Sequence, residues 1–368
     1  IVLLTNRGGV LPVRPERVGT VSVSGPNAAH CHLGGYTDPA ADGVSVLQGI
    51  RDRFDSAQVT FDEGCRITEQ PAGPATWWDH DVALADPSGD EEDLRAAVES
   101  AGDADVAVVV IGGNEGTHRE GWWFDHLGDR ADLGLAGRQD ELVERIAATG
   151  VTVVAVVVSG GPVDLRRVVA AADAVIWTCY PGEAGGHAIA DIIAGVCAPS
   201  GRLPVTFPRS TGHIPTYSAP APSAGRGYLH EPADPLFPFG HGLTYTTFSI
   251  TDVSIAPEQI SIAELESGAS VLVTARVTNT GEWAGTELVR VEVDDELASV
   301  TRPKYSTQGF ATIELDPGAS GEVRAELSYR AFRLLNRSME WDIEPGRFGI
   351  RLATSAGIAP TTGLEVIR

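Results

Sequence analysis

Two carboxylates in a glycine-rich loop are the side chains of this sequence that best suit acid–base chemistry. The apolar run 106–111 is typical of a fully buried strand, and the loop after it contains Glu115 and Glu120. In an open parallel sheet, chemistry takes place in the loops that leave the carboxyl ends of the strands. Trp122 and Trp123 follow, and partial desolvation by their rings would favour the protonated form of a nearby glutamate. The pattern predicts a proton-donating glutamate, and the alternative is an ordinary solvated loop carboxylate.

The elements that must position this loop alternate between strands and helices. The sequence predicts strands at 105–111, 151–158 and 173–178, alternating with helices at 137–148, 163–171 and 184–195. Upstream it predicts strands at 18–23 and 59–61 and helices at 42–54 and 91–101. Strands that are apolar throughout and alternate with helices indicate a mostly parallel sheet covered on both faces.

A different pattern follows this α/β region. Residues 199–245 are rich in Pro, Gly and aromatic residues, which predicts an extended segment that buries Phe207, Tyr228, Phe237 and Phe239. Beyond residue 248, short alternating segments are separated by Asn, Gly and Pro turns, the pattern of a seven-strand sandwich; they lie at 271–277, 287–293, 311–315, 322–327 and 346–353. We therefore expect an α/β sandwich at 1–248 and an all-β sandwich at 249–368.

Composition excludes several classes of partner. The chain of 368 residues is 43% hydrophobic and has a formal net charge of −23, which argues against binding to nucleic acid or to an anionic membrane. No run of 18 apolar residues exists, so no membrane span is expected. A neutral sugar would fit this charge. The chain begins with Ile1 and carries no signal peptide, which indicates a fragment or a processed product, and we expect a cytoplasmic location.

Several other groupings favour structural roles over chemistry. Cys31, Cys65, Cys179 and Cys197 lack CxxC spacing and zinc-like pairing with histidine, so we expect buried free thiols. His187 and Asp191, four residues apart on one helix, lack a third metal ligand and are interpreted as a hydrogen-bonded pair. The glycines of 182–186 lack the remaining residues of a phosphate-binding loop and indicate close helix–sheet packing. Neither a metal nor a cofactor is expected.

Four segments in the same order resemble the C-terminal half of glycoside hydrolase family 3, the exo-acting β-glucosidases and β-xylosidases. They are the loop from Ile111 to Gln139, Tyr180 to Asp191, Pro199 to Ser210, and Pro235 to Phe248. The opening Ile1 to Pro12 is similar to the junction where the family's catalytic barrel ends. The tail from Val277 onward is similar to its fibronectin-III-like domain. The resemblance implies an α/β sandwich followed by a fibronectin-III-like β-sandwich.

The resemblance also assigns the two carboxylates. Glu120 stands at the family's acid/base position, before the Asp129-Arg130 pair. Glu115 is the rival: the family often has a carboxylate right after the strand's glycine, where this chain has Gly113, so Glu115 could be a shifted equivalent with a supporting role. The family's nucleophile is an aspartate of an N-terminal (β/α)8 barrel that is not in this chain. The missing barrel is therefore an expected partner.

The expected substrate contacts come from Glu115, Trp122, Trp123 and Arg130. Aromatic rings stack on the apolar faces of sugars, although two adjacent tryptophans can also be core plus rim. Arg130 could instead form a loop-ordering ion pair with Asp129, and the insertion 122–127 is expected to shape the pocket mouth. This interpretation makes the chain the acid/base-bearing part of a retaining exo-β-glycosidase that acts on terminal β-D-glucosyl or β-D-xylosyl residues. The alternatives are a non-catalytic carbohydrate-binding or scaffold module and a free-standing flavodoxin-like binding module.

Overall fold

The computed structural model describes residues 1–38, 41–70, 78, 82–124, 126, 128–222, 227–359 and 362–368. The chain divides into two compact units. The first comprises residues 1–215 and 235–243, and the second comprises residues 216–234 and 244–368.

The first unit is built around a single sheet. Its strands are β1 (Val2–Asn6), β2 (Thr20–Ser24), β3 (Gln58–Asp62), β4 (Val106–Gly112), β5 (Thr152–Val158) and β6 (Ala174–Thr178). In the described residues they lie in the order β1-β6-β5-β4-β2-β3. Only β1 runs antiparallel, on the edge of β6, and the other pairs are parallel. The predicted mostly parallel sheet is confirmed.

Helices cover this sheet because each has one apolar stripe. They are α1 (Val46–Arg53), α2 (Glu91–Gly102), α3 (Gln139–Ala147), α4 (Arg166–Ala171) and α5 (Gly185–Ala194). Every residue of β4 is buried, which is typical of a central parallel strand with both faces covered. Against it α3 buries Leu142, Val143 and Ile146, at helical spacing. The sheet therefore fixes the positions of the loops at its carboxyl edge.

Two glycines allow α1 and α5 to approach each other closely. A Cβ on Gly186 would overlap the carbonyl oxygen of Ser45, and a Cβ on Gly49 would overlap that of Gly186. The expected helix–sheet role of the glycines at 182–186 is therefore corrected, since Gly186 serves helix–helix packing.

Ion pairs between these helices replace the predicted pair within α5. Nε2 of His187 lies 2.8 Å from Oδ2 of Asp52, and Asp191 accepts a hydrogen bond from Arg53. The predicted His187–Asp191 pair is thus wrong, because each side chain finds a hydrogen-bond partner on α1.

The aromatic segment after α5 is only partly buried. Phe207 and Phe237 belong to the core, and the Phe207 amide donates to the Phe237 carbonyl at 2.8 Å. The expectation of burial fails for Tyr228, which is exposed and lies in a local turn where its amide donates to the carbonyl of Glu231 at 2.8 Å. Cys65 is a buried thiol as expected, whereas Cys179 and Cys197 are exposed thiols.

The second unit is a β-sandwich. Its strands are β7 (Phe248–Ala256), β8 (Gln259–Ser261), β9 (Val271–Asn279), β10 (Gly285–Asp295), β11 (Ser306–Leu315), β12 (Ser320–Leu327), β13 (Leu334–Leu335), β14 (Trp341–Asp342), β15 (Gly346–Thr354), β16 (Gly357–Ile358) and β17 (Thr362–Ile367), with short helices α6 (Ile262–Glu266) and α7 (Tyr329–Phe332). Among the described residues, one sheet has the order β12-β9-β7 and the other β11-β10-β15-β17-β8, with β16 beside β15. Alternating residues of β9, β10 and β15 fill the core between them. This confirms the predicted all-β architecture.

Candidate active site

A pocket of about 790 Å³ lies at the carboxyl edge of the first unit's sheet. Its walls come from the loops that follow β2, β4, β5 and β6, together with Trp78. All four loops leave the carboxyl ends of parallel strands, where ligands of open α/β sheets bind. Glu115 and Glu120 both line this pocket, so the fold brings the two predicted carboxylates to one site.

Glu120 is the carboxylate that the pocket offers to a ligand. Its side chain is exposed and makes no hydrogen bond or ion pair with the part of the chain that the structure describes. The partial burial expected from its tryptophan neighbours is not found, because Trp122 and Trp123 are themselves 57% and 62% exposed. Within this unit, Glu120 is therefore free to exchange a proton with a bound molecule.

Glu115 is in the opposite environment. Its side chain is 0% exposed, and its two oxygens face Nδ1 of His32 at 2.8 Å and the amide N–H of Gly34 at 3.2 Å. Burial pushes the pKa of Glu115 upward, but the hydrogen bond and charge of His32, together with backbone hydrogen bonds that include the one from Gly34, hold the pKa below its usual value. Glu115 is thus an ionised group whose two oxygens are already hydrogen-bonded within the protein.

Asn27 fixes the orientation of the His32 ring. Its Nδ2 donates to the carbonyl of Gly113 at 3.0 Å, so its Oδ1 is an acceptor and faces Nε2 of His32 at 2.9 Å. Nε2 of His32 must therefore carry a proton. Nδ1 faces Glu115, so both ring nitrogens of His32 have a polar partner inside the protein.

The remaining predicted site residues lie at or near the pocket. Trp122 lines it, whereas Trp123 packs edge-on against Phe124 with ring centroids 5.5 Å apart and is not among the described residues of the pocket wall. Arg130 is exposed, donates a hydrogen bond to the carbonyl of Gly134, and lies outside that wall. Asp125 and Leu127 of the predicted insertion lie outside the described residues.

The alternative structural role of Arg130 is also corrected. Among the described residues, no ion pair joins Arg130 to Asp129, and Arg130 instead ties down its own loop at Gly134. Its charge nevertheless acts on the pocket: burial, followed by the positive charge of Arg130, lowers the pKa of His118 to about 4. His118 is therefore neutral near pH 7.

Sequence reasoning missed several residues of the pocket wall. Tyr36 and Trp78 form an edge-on aromatic pair at its rim, with centroids 6.3 Å apart. Tyr180 lines the wall, its hydroxyl is buried without a hydrogen-bond partner among the described residues, and burial raises the pKa of that hydroxyl. These residues follow different strands, so no local spacing in the sequence links them to Glu120.

The pocket supplies one available carboxylate. Glu115 and Glu120 are the acidic residues among the described wall residues, and Glu115 is bound to His32. The described residues contain no group of three His, Cys, Asp or Glu side chains that could hold a metal ion. Every helix in the described ranges is too short or too polar to cross a bilayer. Glu120 can thus donate or accept a proton, while a nucleophilic carboxylate would have to come from elsewhere.

Comparisons with known proteins agree with this arrangement. Residues 1–245 match the family model of the glycosyl hydrolase family 3 C-terminal domain, and residues 287–356 match that of the fibronectin type III-like domain. A periplasmic β-glucosidase of Salmonella typhimurium is 31% identical, with 100% of this chain and 48% of that protein covered. A β-xylosidase of Formosa agariphila is 32% identical, with coverages of 97% and 47%.

Solved structures give the same result. A β-glucosidase from Erythrobacter marinus has a TM-score of 0.92 at 36% identity, covering 100% of this chain and 49% of that one. A β-glucosidase from Listeria innocua in complex with isofagomine has a TM-score of 0.83 at 26% identity, with coverages of 100% and 48%. The chain spans about half the length of the curated relatives it matches.

Proposed function

The chain belongs to glycoside hydrolase family 3, and from this membership we propose that it is the acid/base-bearing C-terminal portion of a retaining exo-β-glycosidase. The observation that carries the proposal is the exposed carboxylate of Glu120 in a pocket of about 790 Å³. Its substrates are terminal β-D-glucosyl or β-D-xylosyl residues of oligosaccharides or glycosides. Relatives named β-glucosidase and β-xylosidase support this choice.

In the proposed mechanism Glu120 works twice. As an acid it protonates the departing glycosidic oxygen while a second carboxylate, roughly 5–5.5 Å away, attacks the anomeric carbon. As a base it then deprotonates the water that hydrolyses the glycosyl-enzyme intermediate. The second carboxylate is an aspartate of an N-terminal (β/α)8 barrel. The barrel would also cover Glu120 and supply the desolvation that this unit alone does not provide.

The aromatic residues of the rim contact the substrate in this proposal. Trp122 lies two residues after Glu120, so its ring would meet the leaving group that Glu120 protonates. The Tyr36–Trp78 pair offers a second apolar surface. Trp123 and Arg130 contribute from outside the described wall. A substrate contact by Glu115 stays a prediction, and its buried side chain favours the supporting role.

One observation favours a second candidate. Because Glu115 is already hydrogen-bonded to His32, Glu120 is the one available carboxylate among the described wall residues, and one carboxylate cannot complete retaining hydrolysis. A non-catalytic carbohydrate-binding or scaffold module would need no second carboxylate. The reading frame upstream of this sequence decides between the two candidates, because only the enzyme requires a (β/α)8 barrel with an active-site aspartate.

Two further predictions, on the domain bounds and on the cellular location, accompany this proposal. We place the domains at 1–248 for the α/β sandwich and 249–368 for the fibronectin-III-like domain. We keep the cytoplasmic location as a prediction, noting that one relative is named periplasmic. Its test is the cellular fraction in which the native protein is found.

The variant Glu120→Gln in the barrel-containing enzyme tests the function. Removal of a general acid/base costs on the order of 10²–10⁴ in rate. We expect the largest loss on substrates with poor leaving groups, since these need protonation of the departing oxygen. Aryl glycosides with good leaving groups should keep their glycosylation step, and azide should restore turnover by replacing the base-activated water. Steady-state and pre-steady-state kinetics on both substrate classes measure this.

The matched control is Glu99→Gln, an exposed glutamate on α2 that lies away from the pocket. It should leave all rates unchanged. Equal losses on every substrate for Glu120→Gln, without an azide effect, would contradict the assignment. Turnover by residues 1–368 alone would contradict it as well, because this chain lacks the barrel's nucleophile.

A further inference from the structure

The buried His32–Glu115 pair joins two loops that form different walls of the pocket. His32 and Gly34 lie in the loop after β2, and Glu115 lies in the loop after β4. We propose that this ion pair, held by Asn27, is a positioning device that sets the place of Glu120 in the pocket. The proposal rests on the acid/base role of Glu120.

The contacts form one continuous chain between the loop after β2 and the loop after β4. Asn27 donates to the carbonyl of Gly113 at 3.0 Å and accepts from His32 at 2.9 Å. His32 faces one oxygen of Glu115 at 2.8 Å, and the other oxygen accepts from Gly34 at 3.2 Å. The β4 loop is therefore bound to the β2 loop at both Gly113 and Glu115. These two attachments fix both the direction of the β4 loop and its distance from the β2 loop.

The β4 loop transmits this position to Glu120 because it is internally braced. The carbonyl of Asn114 accepts from the amides of Thr117 and His118, both at 3.1 Å. The carbonyl of Arg119 accepts from the amide of Asp129 at 3.2 Å. A displacement of Glu115 would thus move the turn that ends at Glu120. A shift of about 1 Å at a reacting group can cost on the order of 10²-fold in rate.

The surroundings make the pair's charges interdependent. His30 lies 6.4 Å and Tyr180 6.0 Å from the His32 ring, centroid to centroid, and burial is the main influence on the pKa of each. Burial likewise raises the pKa of the Cys31 thiol and lowers that of His118. None of these four groups supplies a positive charge near pH 7. Removing His32 alone would therefore leave the Glu115 carboxylate buried and uncompensated.

A first test reads the pair directly in the full 368-residue chain. Nitrogen-resolved NMR of labelled histidines should show a slowly exchanging proton on Nε2 of His32, held by Oδ1 of Asn27 and identified by its loss in His32→Gln. In Glu115→Gln the amide can donate to Nδ1, and the protected Nε2 proton should remain. A His32 with no protected ring N–H in the unchanged chain would overturn the proposal.

A second test measures positioning in the barrel-containing enzyme. For Glu115→Ala and His32→Ala we expect kcat per folded molecule to fall on the order of 10²-fold with little change in KM. The loss should be larger for poor leaving groups than for good ones, because a displaced Glu120 protonates the departing oxygen less well, and azide should restore part of the turnover. Glu115→Gln keeps the hydrogen bonds to both His32 and Gly34. Its kcat should therefore be at least about tenfold higher than that of Glu115→Ala. Glu99→Gln is again the unchanged control.

The outcomes separate this proposal from the proposed function. If Glu115→Ala lowers only the folded fraction, measured by circular dichroism, and not kcat per folded molecule, the pair is merely structural and the proposal fails. If Glu115→Gln loses as much kcat as Glu115→Ala and shows azide rescue and leaving-group dependence, Glu115 is the acid/base. In that case Glu120→Gln would lack both signatures, and the proposed function of Glu120 would fail instead.

Discussion

The imidazole of His118 occupies the space that a side chain at position 113 would need. A Cβ on Gly113 would overlap two atoms of that ring, although the backbone of Gly113 itself is not left-handed. Gly113 is thus required by the close approach of His118. The acidic residue of this loop that lies nearest to the strand is therefore Glu115, two positions later.

Gly113→Ala should therefore disturb the β4 loop that carries Glu115 and Glu120. The added methyl must displace His118 or shift the β4 loop, and overpacking of a buried site costs about 1–3 kcal/mol. We expect a decrease of that size in the free energy of unfolding, measured by urea denaturation. Gly161→Ala is the matched control, since its Cβ meets nothing within 4 Å and should change stability by less than about 0.5 kcal/mol. Equal effects of the two variants would contradict this account.

Trp122→Ala should affect the leaving group more than the sugar that is released. Aromatic contacts contribute about 0.5–1.5 kcal/mol, which corresponds to roughly two- to tenfold in KM. We expect this increase in KM for substrates with large leaving groups and little change for those with methyl leaving groups, measured in the barrel-containing enzyme. Trp341→Ala, in the second unit and 56% exposed, is the control of matched exposure. A uniform increase across leaving groups would mean that Trp122 does not contact them.

Asp140→Asn should stabilise the first unit near neutral pH. Burial is the main cause that raises the pKa of Asp140 from 3.8 to about 6, and its Oδ1 has no hydrogen-bond partner among the described residues. The folded state then binds a proton more tightly than the unfolded chain, so stability decreases as the pH rises from about 4 to 6 and stays reduced above. We expect a gain of about 1–2 kcal/mol at pH 7, after the helix dipole offsets part of it.

The pH dependence checks the sign of this prediction. Unfolding measured between pH 4 and pH 7 should show the advantage of Asp140→Asn growing across the window. Asp93→Asn, an exposed residue in the first turn of α2, is the control at a similar helix position and should lose a few tenths of a kcal/mol. A stability difference that shrinks as the pH rises would refute the assignment to Asp140.

The central strands were predictable from the sequence because a strand that is buried on both faces is apolar throughout. The prediction of 151–158 became β5 at Thr152–Val158, and 173–178 became β6 at Ala174–Thr178. Strand β7 was missed because its pattern is interrupted: Asp252 has a positive φ of 52°, and the register shifts between Thr251 and Ser254. A bulge of this kind breaks the alternation on which the prediction depends.

The site was predictable only where it is local. Glu115 and Glu120 stand out because they share one loop with two tryptophans. The partner of Glu115 could not be recognised in the sequence. His32 is 83 positions away and contacts Glu115 only because β2 and β4 pair in the sheet. The Tyr36–Trp78 pair was missed for the same reason. Sheet order, not sequence spacing, brings these side chains together.

The antiparallel strand β1 has a consequence for how the protein can be divided. Residues Val2–Asn6 pair with the outer side of β6, a strand of five buried residues with the sequence AVIWT. Without β1, this flat, apolar strand would present unpaired N–H and C=O groups to a second molecule, a template for intermolecular sheet growth. A fragment cut between Asn6 and Thr20 would keep every residue of the pocket and still aggregate. β1 therefore protects the molecule from aggregation, although it contributes no residue to the pocket that contains Glu120.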